Sequence, residues 1–156
     1  MGEDDRRTVR LNGVPVGIAR AIAVYRNDMI RELQLIELGR QQGIEEPSQL
    51  YDLAEQLRAD LVWLRDDLAG HTVWSDPAAA PSERVDMVIE ATVDASARML
   101  RAIERFEELN QLSRYGQLLT EEATPAMMQV IRWVGEELAG QLNEGRAPRP
   151  CLVATA

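Results

Sequence analysis

Apolar residues recur three or four positions apart in four stretches of the chain, which is the spacing of one face of an α-helix. Prolines stand near the starts of three stretches, where a helix tolerates their missing N–H, and single glycines follow the ends of all four. The pattern therefore predicts four helices, over Pro15 to about Arg40, Pro47 to Gly70, about Asp94 to Gly116, and Thr124 to Gly145.

The hydrophobic period changes between the second and third of these helices. Alternate residues from Val85 to Ala91 are apolar and the residues between them are polar, with Val88 as the exception. A period of two is typical of a β-strand, although the same residues also tolerate a helical interpretation. The choice between strand and helix over residues 84–93 therefore stays open at this point.

These patterns predict the all-α fold class: a four-helix bundle with at most one short extended segment before the third helix. We expect residues 14–145 to form this single domain. A polar N-terminal tail over residues 1–13 precedes it, and a flexible C-terminal tail over residues 146–156 follows it. No internal repeat of fixed period is visible in the sequence.

Charge and composition argue against some classes of binding partner. The 156 residues include 26 acidic and 17 basic side chains, all 17 of them arginine, for a formal charge of −9. Such a charge argues against binding to nucleic acid or to an anionic membrane through a general basic surface. The first residues are acidic and lack the apolar run of a secretory signal, and no stretch is apolar enough to span a membrane. We therefore expect a cytoplasmic protein.

The residues offer little for catalysis, metals or cofactors. The single histidine, His71, follows Gly70 in a predicted loop, so the Glu-x-x-His pattern of di-iron bundles is missing. Cys151 stands near the C-terminus with no base close in sequence, and the scattered glycines form no phosphate-binding loop. We predict no catalytic residues, no metal and no cofactor, and hence a protein that is not an enzyme.

Paired acidic residues are the remaining source of acid–base chemistry. Each pair lies on a predicted polar helix face or in a loop, so we expect solvated carboxylates rather than a catalytic pair. The pairs are Glu45–Glu46, Asp66–Asp67, Glu107–Glu108, Glu121–Glu122 and Glu136–Glu137.

A polar cluster on the first and fourth helices is the most informative candidate site. Asp28 and Arg31 are three residues apart on a helix that is otherwise apolar on two sides, and Glu32 follows them. Both helices carry an apolar stripe, so we expect the first and fourth helices to lie side by side, which would bring Arg132 within reach of Asp28 or Glu32, in a pair half-shielded by Trp133. The alternative is ordinary surface pairing, with Arg132 exposed.

Two segments of the chain resemble a known family. VRLNGVPVGIARAIAVYRNDMIRELQLI and RYGQLLTEEATPAMMQVIRWVGEELAGQL are similar, in this order, to two signatures of a small all-helical module of actinobacteria, and the likeness covers about residues 8–146. Such modules accompany the ATP-binding anti-sigma-factor kinase domains of partner-switching stress regulation. The chain departs from the family where a histidine often precedes the acidic pair. Its recurrent positions match Asp28, Arg31, Glu32, Thr120, Pro125, Arg132 and Trp133.

The resemblance implies a non-catalytic regulatory protein that works by binding another protein, an anti-sigma-factor kinase in the family context. A second copy of the chain, in a homodimer, is also open as a partner. The alternative function is a small-molecule sensor that holds an apolar ligand in the bundle core, because methionine side chains adapt readily to a ligand. The methionines proposed to line that slit are Met29, Met99, Met127 and Met128.

Overall fold

A computed structural model describes residues 6–43, 48–67, 80–114 and 119–154. Strands and helices follow one another in the order β-α-α-β-α-α. They are β1 (Arg7–Pro15), α1 (Val16–Gln41), α2 (Ser48–Asp67), β2 (Arg84–Ala91), α3 (Val93–Arg114) and α4 (Pro125–Asn143).

The four predicted helices are present, with ends close to those that the sequence pattern indicates. The start of α4 shows the local cause most clearly. The Thr124 side chain accepts a hydrogen bond from the Met127 backbone N–H at 3.2 Å, and Pro125 occupies the first helical turn. Thr124 thus satisfies one of the N–H groups that have no partner inside the helix.

A two-stranded antiparallel sheet joins the N-terminal segment to the middle of the chain. Val9 lies opposite Ile89 and Leu11 opposite Met87, and the register shifts between Leu11 and Val14. The extended segment before the third helix is therefore a strand, β2, which resolves the choice left open by its sequence.

Strand β1 corrects two predictions. Residues 7–13 belong to a strand rather than to a polar tail, and the fold is mostly helical rather than all-α. The reason is tertiary: Val9 and Leu11 are completely or almost completely buried, but their partner strand lies more than 70 residues further along the chain. A short alternating segment without a neighbouring hairpin gives only a weak local signal.

Each of the four helices packs against two others, and together they surround one core. Helix α1 contacts α2 and α4, helix α3 contacts the same two helices, and β1 lies against α4. Met29, Leu33, Leu57, Leu109 and Leu138 are fully buried between them. Among the described helices, none is long and apolar enough to cross a lipid bilayer.

The two halves of the chain repeat the same order of elements, which the sequence did not reveal. Val16 and Val93 begin the first helix of each half, and Ser48 and Pro125 begin the second, so both pairs are 77 residues apart. Each half of the chain is therefore one β-α-α unit. The strands of the two units pair with each other, which explains why neither half completes its sheet alone.

The C-terminal segment differs from the predicted flexible tail. The Cys151 backbone N–H donates a hydrogen bond to the Asn12 carbonyl of β1 at 2.9 Å, and the Cys151 side chain is buried. The Trp133 indole N–H of α4 donates to the Arg149 carbonyl at 3.1 Å. Residues 146–153 therefore pack along α4 and β1, because the β1 backbone and the Trp133 side chain supply hydrogen-bond partners for their backbone.

Candidate binding cleft

A cleft of about 510 Å³ opens between α1 and the segment that leads into α4. One wall is a face of α1 that runs from Ala21 to Leu35, and the other consists of residues 119–124 with Met127 of α4. Its volume falls within the range of about 300–1,000 Å³ that is common for ligand sites. We define this feature as the α1 cleft.

Glu32 of α1 holds the opposite wall in place. Its carboxylate accepts hydrogen bonds from the backbone N–H groups of Leu119 and Thr120, both at 2.6 Å, and from the Thr120 hydroxyl at 2.5 Å. Hydrogen bonds to an ionised acceptor are short and roughly twice as strong as neutral ones. Glu32 is buried, so its carboxylate ties Leu119 and Thr120, the first residues of this wall, to α1.

A second set of hydrogen bonds lies at the base of the cleft. The Asn110 side-chain oxygen of α3 accepts from the Ala123 backbone N–H at 3.0 Å and from the Tyr25 hydroxyl at 3.4 Å. Burial raises the pKa of Tyr25, and the negative charges of Glu122 and Glu32 raise it further. The Tyr25 phenol therefore stays protonated as a hydrogen-bond donor.

The rim of the cleft combines exposed apolar side chains with an excess of acids. Val24 is 60% exposed, Leu35 58% and Leu119 91%, and all three line the cleft. Of the described residues, four with a carboxylate and one with a guanidinium, Arg31, also line it. The surface is thus suited to a partner that presents both apolar groups and positively charged groups.

The structure brings together three of the five predicted site residues. Asp28, Arg31 and Glu32 all line the α1 cleft. Asp28 and Arg31 form the expected pair at 3.8 Å, with both side chains well exposed to solvent. Such exposed pairs contribute little to stability, so we attribute no structural role to this one.

Arg132 and Trp133 lie away from the cleft, which corrects the predicted cluster. Helices α1 and α4 do pack against each other, but Arg132 pairs with Glu107 of α3 instead of Asp28 or Glu32. Both partners of this pair are about half exposed. The sequence placed the two helices correctly and could not give the direction in which the Arg132 side chain points.

This position changes the expected effect of Arg132→Ala. An exposed ion pair contributes about 0.2–1 kcal/mol, so the variant should lose no more than that from its free energy of unfolding. Removal of one member of a half-buried pair would cost about 1–3 kcal/mol, and we do not expect a loss of that size here. Urea denaturation of Arg132→Ala and of Glu107→Ala tests this, and a loss above about 1.5 kcal/mol in either variant would contradict the exposed pairing.

Two buried carboxylates were missed by the sequence analysis. Glu137 belongs to a pair predicted to be solvated, but it is only 1% exposed, and Asp60 is buried on α2. The two residues occupy equivalent places, 77 positions apart, in the second helices of the two halves. Each directly precedes a buried leucine, Leu61 or Leu138, and this position at the edge of an apolar stripe was the available signal.

The remaining predictions concern the other paired acids, the single histidine and the absence of a metal site. Glu107, Glu108, Glu121 and Glu122 are exposed. His71, Gly70 and Glu45–Glu46 lie outside the described residues, as do the side chains of Asp66–Asp67. In the described part of the chain, no group of three or more His, Cys, Asp or Glu side chains could hold a metal ion.

Comparison with known proteins adds no relative. Neither protein-family models, nor curated proteins, nor solved structures yield a match to this chain.

Proposed function

We propose that the protein is a non-catalytic regulatory protein that binds another protein in the α1 cleft. The observation that carries the proposal is the exposure of Val24, Leu35 and Leu119 around one concave surface. Single exposed leucines are normal on a protein surface, whereas apolar side chains grouped around a cleft mark an interaction site.

The chemistry of the cleft defines the segment that it would accept. Four carboxylates against one guanidinium favour basic side chains on the partner, and the exposed rim favours apolar ones. An amphipathic helix with a few apolar anchors and flanking arginines or lysines combines both properties. The partner of this proposal is therefore a basic, amphipathic segment of a regulatory protein.

The family resemblance supports a specific class of partner. Of the residues that carry it, Asp28, Arg31, Glu32 and Thr120 line the α1 cleft. An ATP-binding anti-sigma-factor kinase domain is accordingly the partner that we propose to test first, in a stress-response pathway of the partner-switching type. Such a partner would place the protein in the cytoplasm.

A small-molecule sensor is the second candidate function. Of the four methionines proposed to contact a ligand, only Met127 lines the α1 cleft, where it is mostly buried, and Met29, Met99 and Met128 do not line it. A ligand would therefore sit in the cleft rather than in a slit of the core. The high exposure of the rim favours a protein, because small-molecule sites usually bury 70–90% or more of their ligand.

We expect Leu35→Glu to weaken binding of a purified anti-sigma-factor kinase domain at least about tenfold, which corresponds to about 1.4 kcal/mol. The added charge would replace an apolar contact and increase the negative charge of the cleft. Leu100→Glu is the matched control, because Leu100 is a similarly exposed helical leucine on α3 that does not line the cleft. Isothermal titration calorimetry measures both affinities.

Two outcomes would overturn parts of the proposal. Equal affinities for the Leu35→Glu and Leu100→Glu variants would exclude the α1 cleft as the docking surface. A native mass spectrum that shows a retained small molecule, lost in Leu35→Glu, would favour the sensor instead.

A further inference from the structure

Three arginines of α3 converge on one carboxylate of α2, away from the α1 cleft. Arg98, Arg101 and Arg105 each place a guanidinium nitrogen near an Asp60 oxygen, at 3.3, 3.4 and 2.9 Å. Their spacing of three and four residues puts them on one face of α3, the face that meets α2. We define these three residues as the arginine cluster.

The arginine cluster carries more positive charge than Asp60 can balance. Among the ion pairs of the described residues, one carboxylate meets three guanidinium groups, an excess of two positive charges in a protein whose formal charge is −9. Like charges three or four residues apart on a helix repel each other. An additional anion with two negative charges would relieve this repulsion.

The arrangement leaves the outer side of the cluster accessible. Asp60 is the inner partner, since its side chain is only 8% exposed, whereas the Arg101 side chain is 48% exposed and that of Arg98 31%. Each guanidinium has five N–H donors, so contact with one Asp60 oxygen leaves further donors on Arg98 and Arg101. These donors are close enough together to approach one ligand.

Other contacts orient the guanidinium groups before any ligand arrives. The Arg98 guanidinium lies over the Trp63 ring, 4.5 Å from its centroid. Arg105 also donates to the Gln56 side-chain oxygen at 2.7 Å. Side chains that are already ordered lose less conformational entropy when a ligand binds, which favours affinity.

We propose that the arginine cluster binds a phosphate group. Guanidinium forks match the oxygens of phosphate in paired hydrogen bonds, and a phosphate carries about −1.5 to −2 charges near neutral pH, close to the excess of two. A free inorganic phosphate and a phosphate ester on a protein share this chemistry. The site shares no residue with the α1 cleft, so the proposal is independent of the function assigned to that cleft.

Calorimetric titration of the full chain with inorganic phosphate, at constant ionic strength set with sodium chloride, tests the site. We expect saturable binding that Arg101→Gln weakens about tenfold or more. Arg132→Gln is the control, because it removes the same charge from an equally exposed side chain on α4 that does not line the α1 cleft. Phosphate that fails to saturate, or that binds both variants equally, would overturn the proposal.

Phosphopeptide binding and a conservative Arg101 variant provide two further tests. A phosphoserine peptide and its unphosphorylated form distinguish the sources: tighter binding of the phosphopeptide than of inorganic phosphate assigns a protein-borne group, and the reverse order assigns free phosphate. Binding of neither phosphate overturns the site. Circular dichroism of Arg101→Gln verifies the fold, and Arg101→Lys, which retains the charge without the fork, should bind phosphate with intermediate affinity.

Discussion

Glu137→Ala should lower the free energy of unfolding by about 3–5 kcal/mol, the largest single-residue effect that we expect in this protein. The Glu137 carboxylate lies within the fold and pairs with the Arg146 guanidinium at 2.5 Å. It also accepts the Arg149 backbone N–H at 2.7 Å and the Gln141 amide at 3.2 Å. Alanine would leave a half-buried guanidinium and a backbone N–H without this acceptor.

The same substitution should loosen the C-terminal segment. Arg146 and Arg149 connect that segment to α4 through Glu137, and Gln141 in turn bonds both the N–H and the carbonyl of Arg10 in β1. Without Glu137, we expect faster tryptic cleavage after Arg146 under native conditions. Peptide mass spectrometry of timed digests measures this rate.

Glu136→Ala is the matched control, because Glu136 is the adjacent acid on α4 and points into solvent. It should change the free energy of unfolding by less than about 0.5 kcal/mol. Urea denaturation of both variants gives the comparison. If Glu137→Ala is no less stable than Glu136→Ala, the buried ion pair does not hold the C-terminal segment.

Glu32→Ala is expected to cost about 2–4 kcal/mol and to release the wall of the α1 cleft. Its carboxylate accepts three hydrogen bonds from Leu119 and Thr120, and each charge-assisted bond contributes about 1.5–3 kcal/mol. The total loss is smaller than their sum, since the freed N–H groups reach water when the segment moves. The two backbone amides should therefore lose protection against hydrogen exchange before the rest of the fold does.

Glu121→Ala provides the comparison for this variant, because Glu121 is an exposed acid on the same segment. Hydrogen exchange at the Leu119 and Thr120 amides, followed by NMR, should be unchanged in Glu121→Ala and accelerated in Glu32→Ala. Unchanged exchange in Glu32→Ala would show that other contacts hold the wall. If the wall is released, the proposed protein partner should also bind Glu32→Ala more weakly.

Local sequence features account for most of the secondary structure. The apolar periodicity of α1 through α4 indicated four helices, and Thr124 with Pro125 marked the start of α4 because a helix cap depends on neighbouring residues alone. The alternating polarity of β2 suggested a strand but also tolerated a helix, and its pairing with β1 decides for the strand. Strand β1 was missed because it is stabilised by pairing with a distant segment.

The candidate site residues were also predicted correctly only where a local feature of the sequence was sufficient. Asp28, Arg31 and Glu32 could be selected because they share one turn region of α1, and they do line one cleft. Arg132 was assigned to the wrong neighbour, because the choice between Glu107 of α3 and the acids of α1 depends on how α4 is rotated about its axis. Helical spacing alone does not determine that rotation to within one side chain.

The sequence by itself determined where the helices lie, which residues form their apolar faces, and that the chain is strongly acidic, but it left the choice between strand and helix open over β2. Only the tertiary structure decided which charges are buried. Asp60 and Glu137 look like ordinary surface acids in the sequence, yet arginines from α3 and from the C-terminal segment reach them in the fold. A buried carboxylate needs partners, and the arginines that pair with Asp60 and Glu137 come from other segments, whose position is a property of the folded chain.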